Sequence, residues 1–321
     1  MHVLVTGGAG FIGSHVVDAL LARGDRVTVL DDLTTGDKAN LAHVEAAAPL
    51  ELVIGSITDP FLVDRLVMQA DALIHLAAAV GVQYIMQRQV QGIITNTVGT
   101  EHVLRAAAQR RIPTFLASSS EVYGKSPEVP ATETSYPVIG TTDIHRWSYA
   151  CTKALDEFLA LAYHREQGLP VVIGRFFNVT GPRQSPAYGM VLPRFCRAAL
   201  AGEDLRVYGD GEQTRTFLHV GDCVCAVLAV LAESRAHGQV VNIGGAEPVS
   251  MRGLAELVCR RSGSSAGIEL VPYERAYPSG NFEDIRHRVP AIDKIRELCD
   301  WRPGHGLEDI VDATLAASRL P

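Results

Sequence analysis

The chain has 321 residues, 47% of them hydrophobic and 20% charged, and a formal net charge of −7 at pH 7. That length and composition fit a large buried core in an α/β body of two lobes. An acidic balance without basic clusters excludes nucleic acid and anionic membrane as partners, and no apolar stretch is long enough to span a bilayer.

Residues 3–6 (Val-Leu-Val-Thr) are apolar and β-branched and predict a strand over 2–6. Gly7-Gly8-Ala9-Gly10-Phe11-Ile12-Gly13 follows, then an amphipathic helix over 11–23. Strand, glycine turn and helix start together bring bare backbone N–H groups and a positive helix end against a diphosphate. A second strand over 26–30 ends in Asp31 and Asp32, where a carboxylate would bond both ribose hydroxyls of an adenosine. Asp31 has no arginine close by in sequence. A 2′-phosphate would face it with only Lys38 to soften the repulsion, which favours NAD over NADP.

Further strands are predicted over 50–54, 72–76, 113–117 and 171–175, and helices over 60–69, 89–110 and 148–167. This alternation predicts an α/β Rossmann fold, a doubly wound parallel sheet with right-handed crossovers and ligands beyond the carboxyl ends of its strands. Gly7 to Gly13, Asp31, Leu76-Ala77-Ala78, Ser118 to Glu121 and Phe177-Asn178 all fall there. Residues 125–146 make a long polar loop of the kind that usually carries function. After Gly181-Pro182 the pattern loosens into helical pieces near 190–201, 219–234, 250–262, 291–298 and 307–318. Strand-like segments at 205–208 and 240–243 would join the main sheet or a small second one. The expected organisation is a cofactor domain over 1–176, rejoined by about 216–246, and a smaller carboxyl-terminal substrate-binding lobe from 177–215 and 247–321. The chain opens on a strand, so no secretory leader is expected. Of the six cysteines only Cys223 and Cys225 are close, with a spacing that suits neither zinc nor a redox pair. No metal site is expected, and all six read as buried thiols of a cytoplasmic protein.

Tyr149 and Lys153 stand four apart at the start of a predicted helix and so share one face. A phenol of pKa ~10 is a poor base at neutral pH. A lysine ammonium one turn away, with a positively charged nicotinamide, favours the phenolate. The phenolate then takes a proton from a sugar hydroxyl as hydride leaves that carbon. Tyr and Lys also meet this spacing by chance on surface helices; the glycine turn upstream is what gives the pair chemical weight.

Gly7-x-x-Gly10-x-x-Gly13, Asp31, His75-Leu76-Ala77-Ala78, Tyr149-x-x-x-Lys153 and Arg175-Phe176-Phe177-Asn178 together resemble the extended short-chain dehydrogenase/reductases. Within these the chain is similar to the nucleotide-sugar epimerase, dehydratase and decarboxylase branch, over essentially its whole length. The resemblance implies a retained NAD, a lobe that grips a nucleotide diphosphate, and a homodimer through the helices at 89–110 and 148–167. It implies cofactor contacts from Gly7, Gly10, Phe11, Ile12, Gly13, Asp31, Ser56, Ile57, Leu76, Ala77, Ala78, Asn96, Phe176, Tyr149 and Lys153. Asn178 would bond the diphosphate, Val191, Arg194 and Tyr208 would frame the base, and Arg215 would pair with phosphate.

Ser118-Ser119-Ser120-Glu121 discriminates within the branch. Epimerases usually lack a carboxylate at Glu121, and thymidine-linked sugar dehydratases place an Asp where this chain has Ser120. Ser120-Glu121 resembles UDP-glucuronate decarboxylases and also the guanosine-linked mannose dehydratases, which are generally longer and prefer NADP. The Arg146-Trp147-Ser148 approach to Tyr149 and Arg288 before Val289-Pro290 resemble the decarboxylases. Ser119 would then meet the C4 oxygen, and Ser120, Glu121 and Arg288 would lie near C5 and the carboxylate. A 4-epimerase, a 4,6-dehydratase and a regulatory dinucleotide-binding protein stay open as alternatives. Two departures are Ser56, where many relatives carry an Asp at the adenine, and Val179-Thr180, where an aromatic is usual.

Overall fold

The computed structural model describes residues 1–80, 88–185, 190–277 and 283–319. Strands β1 (His2–Thr6), β2 (Arg26–Asp31), β3 (Leu50–Ile54), β4 (Ala72–His75), β5 (Thr114–Ser119) and β6 (Val171–Phe176) lie in one parallel sheet. Its order is 3-2-1-4-5-6, closed on the far side of β6 by a returning strand, Gln239–Ile243. This is the doubly wound arrangement expected from the alternation, with the switch point between β1 and β4.

Near-continuous apolar strands are buried on both sides because side chains alternate across a sheet. Val3, Val5, Val27, Val29 and Ile74 pack against helix α1 (Phe11–Ala22) and helix Val220–Ala232. Leu4, Leu30, Leu73 and Leu116 pack on the opposite face against α2 (Pro60–Val67) and helix Thr100–Arg110. A separate core joins helices Val191–Ala201, Met251–Ser262 and Leu307–Ser318 through Leu192, Phe195, Leu254, Val258, Ile310 and Leu315. Strand-like 205–208 pairs with Ile268–Val271 beside that core rather than with the main sheet. Short strands Thr214–Thr216 and His287–Arg288 pair in parallel and set Arg215 beside Arg288.

Loop 125–146 is tied down at its start and its middle. Lys125 N–H donates to the Val138 carbonyl at 2.7 Å, and Ala131 exchanges backbone bonds with Val289 and Ala291, each 2.8 Å. The Asn242 amide donates to the Ala131 and Ala291 carbonyls, joining the loop to the returning strand.

Two expectations are corrected. The helix expected over 89–110 is broken: Gln89–Ile94 and Thr100–Arg110 are separated by a π turn, Thr95–Gly99. The wider turn holds the buried Asn96, whose side chain satisfies both polar groups of the Ala79 backbone, accepting from its N–H at 2.7 Å and donating to its carbonyl at 3.3 Å. The cysteines are not uniformly buried either: Cys151 and Cys225 are exposed. Cys223 and Cys225 lie two apart on one helix and so face different sides, Cys223 into the core. Among the described residues no cluster could hold a metal ion, and no helix is long and apolar enough to cross a membrane.

Candidate active site

One cavity of about 1020 Å³ runs along the carboxyl edge of the sheet and into the second core. It is large enough for more than one small-molecule ligand. Of the catalytic, cofactor-binding and substrate-binding residues expected from the sequence, all line it except Ser56, Asn96 and Ser120. Ser56 turns its hydroxyl to Thr58 at 2.9 Å, Asn96 braces the wall from behind, and Ser120 meets Arg288.

At one end the wall is backbone. Gly7 has φ of +74° and donates its N–H to the Leu30 carbonyl. A Cβ on Gly13 would stand 2.0 Å from the Gly7 carbonyl oxygen, so α1 can start against the turn only without a side chain there. Asp31, buried at the end of β2, accepts from Ala9 N–H at 3.0 Å and Leu33 N–H at 2.8 Å. Burial raises its carboxyl and these two bonds oppose the rise. Bare backbone, a helix start and this carboxylate are the donor and acceptor set a dinucleotide requires.

Mid-cavity, Lys153 donates to the Ala117 carbonyl at 3.0 Å and pairs with Asp156 at 3.4 Å. Burial pushes the Tyr149 hydroxyl above its ordinary value; Glu121 and Asp156 add to this, and a hydrogen bond with Ser119 opposes it. Ser119 Oγ in turn accepts the Glu121 N–H at 3.2 Å, capping the short turn Ser120–Tyr123.

The far side is charged. Arg146 grips Glu121 with two bonds, 2.9 and 2.8 Å, and Arg288 approaches the same carboxylate at 2.9 Å. Burial alone would push Glu121 up, but Arg146 and Arg288 hold it at about 2. Asp284 accepts from Arg146 at 3.1 Å, Arg215 at 3.0 Å and the Tyr273 hydroxyl at 2.7 Å. Burial draws Arg215 down to about 10; Asp284 opposes this, and the charges of Arg288 and Arg146 reinforce it. Three guanidinium groups (Arg146, Arg215, Arg288) thus meet two carboxylates (Glu121, Asp284), which leaves one positive charge in excess.

Beyond the cluster, Arg194 lies 4.2 Å over the Tyr208 ring, which meets Tyr277 edge-on. Asn178, at φ of +38°, donates to the Thr216 carbonyl. Arg146, Asp284, Tyr273 and Tyr277 also line the cavity. The sequence assigns Arg146 only as part of the decarboxylase-like approach to Tyr149, with no contact of its own, and the other three no role. Arg146 was findable, since it sits three residues before Tyr149 on the same helical face. Asp284 and the two tyrosines arrive by a return of the chain that no local pattern announces.

Residues 3–244 match the model of the NAD dependent epimerase/dehydratase family. The chain belongs to that family. Its members are NAD-dependent enzymes, and NAD is the cofactor the glycine turn and Asp31 fit. The chain is 42% identical to a UDP-N-acetyl-α-D-glucosaminuronate decarboxylase of Bacillus cytotoxicus, covering 97% of this chain and 96% of that one. It is 35% identical to UDP-glucuronic acid decarboxylase 1 of Arabidopsis thaliana, covering 96% of this chain and 68% of the relative. A dTDP-glucose 4,6-dehydratase of Streptomyces venezuelae, solved with NAD bound, superposes with a TM-score of 0.88 at 33% identity, covering 99% and 97% of the two chains.

Proposed function

We propose that the protein is an NAD-dependent decarboxylase of a UDP-linked hexuronic acid, with UDP-glucuronate as substrate and a UDP-pentose, UDP-xylose or its 4-keto form, as product. The observation that carries this is Arg288, which stands beside Tyr149, Ser120 and Glu121 within the arginine cluster. A mostly buried guanidinium at that end of the cavity favours an anionic substituent on the sugar over a neutral one.

NAD, when bound, would supply the reversible two-electron oxidation at C4 of the sugar. Gly7, Gly10, Phe11, Ile12 and Gly13 would hold its diphosphate, Asp31 its adenosine ribose and Ile57 its adenine. Leu76, Ala77, Ala78 and Phe176 would wall it in. Tyr149 takes the proton of the C4 hydroxyl, and Lys153 and Ser119 favour its phenolate. With a carbonyl at C4, the carboxylate is β to a ketone. The C5–C6 bond then breaks as carbon dioxide leaves, and the electron pair delocalises onto the C4 oxygen, where Ser119 and Tyr149 donate. C5 takes up one proton from solvent water, and Tyr149 returns its own to the C4 oxygen on re-reduction. Arg288 pairs with the uronate carboxylate. Asn178 and Arg215 meet the diphosphate, and Val191, Arg194 and Tyr208 frame the base. Glu121, held at about 2 in the Arg146 fork, orients the arginines and does not carry protons. In the alternative, a 4,6-dehydratase, this same carboxylate would act as the base at C5.

The likeness to the Bacillus cytotoxicus enzyme favours a second reading, an N-acetylglucosaminuronate with the same carboxylate and another C2 substituent. Incubation of the protein and NAD with UDP-glucuronate, its 2-acetamido counterpart and UDP-glucose, read by product mass, tests both. Loss of carbon dioxide from a uronate supports the proposal; a mass-neutral product would mean epimerisation, and loss of water dehydration. We further propose a homodimer in the cytoplasm. Val90, Leu155 and Phe158, 73%, 53% and 71% exposed, offer an apolar face on helices Gln89–Ile94 and Arg146–Gln167. Sedimentation of Phe158→Glu against the unaltered protein checks this, with a monomer expected.

A further inference from the structure

Behind the reaction centre lies a second polar system that the mechanism above does not use. Asp156 stands one turn after Lys153 on the same helix, and their side chains are 1% and 3% exposed at a separation of 3.4 Å. Its Oδ1 has no donor in hydrogen-bonding geometry, and the Thr100 hydroxyl faces the carboxyl from the neighbouring helix. Thr100 Oγ1 lies 3.1 Å from His75 Nε2, and His75 Nδ1 lies 2.6 Å from Thr6 Oγ1 on β1. Thr6 Oγ1 accepts the N–H of Ala77 at 3.3 Å, and Ala77 is itself a wall of the cavity. His75, Thr100 and Thr6 are all buried.

The direction of this string follows from its ends. Thr6 accepts from Ala77, so its own proton is available to His75 Nδ1. Burial and the charge of Lys153 push His75 down to about 3, so the ring is neutral and carries one proton. In the tautomer with Nδ1 accepting, Nε2–H donates to Thr100, whose hydroxyl faces the Asp156 carboxyl. The string therefore runs from one wall of the cavity, under the sheet edge, to the lysine in the other wall.

We propose that Asp156 is a positioning residue for the reaction centre: through this buried string and its contact with Lys153 it sets the charge that Tyr149 meets. The proposal rests on the reading of Tyr149 and Lys153 as the proton-transfer pair. The charged and titratable groups around Asp156 are Lys153, Tyr149 and Glu157 on its own helix and His75 on β4; Thr100 is uncharged. Glu157 is neutralised by two bonds from Arg175, 2.9 and 2.7 Å. Burial lifts Asp156 to about 6 against the pull of Lys153, so it is ionised at neutral pH and protonates on mild acidification. Ionised, it offsets the lysine ammonium and raises Tyr149. Neutralised, it leaves the ammonium to act on the phenol alone.

The test is the near-ultraviolet tyrosinate titration of the NAD-loaded protein, with Tyr149 isolated by subtracting the same titration of Tyr149→Phe. Asp156→Asn keeps the shape and removes the charge. The expected result is a Tyr149 titration moved to lower pH by about one unit, with the acidic limb of the turnover profile moving the same way. Asp156→Ser removes the charge with a smaller polar side chain and gives a shift of the same sign; it carries the test if Asp156→Asn does not fold. An unmoved Tyr149 titration in the folded variants overturns the proposal. Full turnover by Tyr149→Phe would instead overturn the underlying reading of the reaction centre.

Discussion

The glycine turn and the arginine cluster face the same cavity from opposite ends and are held in opposite ways. The turn is built from backbone over seven consecutive residues, 7–13, with its geometry imposed by what a side chain would strike. The cluster is built from long charged side chains at positions 121, 146, 215, 284 and 288, brought in by four separate segments. Backbone suits a ligand group shared by a whole family, because every sequence supplies the N–H groups. Side chains suit selection, because exchanging one guanidinium alters which anion is accepted. The reaction centre sits where the two constructions meet.

If that division is right, substitutions at the meeting point should cost most. Tyr149→Phe should lower turnover by about 10²–10⁴-fold with NAD still bound, read by steady-state rates and cofactor content. Arg146→Ala takes the two-bond partner from Glu121, which keeps Arg288, and one of three donors from Asp284, which keeps Arg215 and Tyr273. It should destabilise the fold by about 1.5–3 kcal/mol, read from denaturant midpoints, and leave NAD content of the folded fraction intact. Gly13→Ala should do the reverse: about 1–3 kcal/mol from the clash with the Gly7 carbonyl, with loss of bound NAD. Retention of NAD by Gly13→Ala, or its loss in folded Arg146→Ala, would break the comparison.

The smallest effect is on pH. His75 has a folded value of about 3 against 6.5 when free, so only the unfolded chain binds its proton between those values. Its contribution is present above pH 6.5 and is lost as pH falls below it. Glu121, at about 2 against 4.5, contributes above pH 4.5 and is lost on further acidification. Asp156, raised to about 6, acts in the opposite sense and is relieved by acid. Denaturant midpoints of His75→Gln should accordingly fall less steeply than those of the unaltered protein below pH 6.5.

The same division decides what the sequence disclosed. The turn, Asp31 and the Tyr149/Lys153 pair were legible because their partners lie within one strand, one turn or one helical repeat. The sheet was legible for the same reason, each strand being bounded by its own helix. Ser56 and Asn96 were assigned to the cavity by resemblance, yet their polar atoms are taken by Thr58 and by the Ala79 backbone. Asn96 also shows why the helix over 89–110 was misread, since a π turn leaves no trace in apolar spacing. The Arg146 fork on Glu121 and the arrival of Asp284 depend on the placing of loop 125–146 and segment 283–288, which contacts distant in sequence determine.

The most direct test of the central claim, that Arg288 in the arginine cluster reads a sugar carboxylate, is a pair of calorimetric titrations. UDP-glucuronate and UDP-glucose are each titrated into NAD-loaded Tyr149→Phe, where binding is separated from chemistry, with and without Arg288→Gln. The account predicts a preference for the uronate of about 10–100-fold that shrinks markedly when Arg288 is replaced. Equal affinity for the two sugars, or a preference indifferent to Arg288, would contradict it.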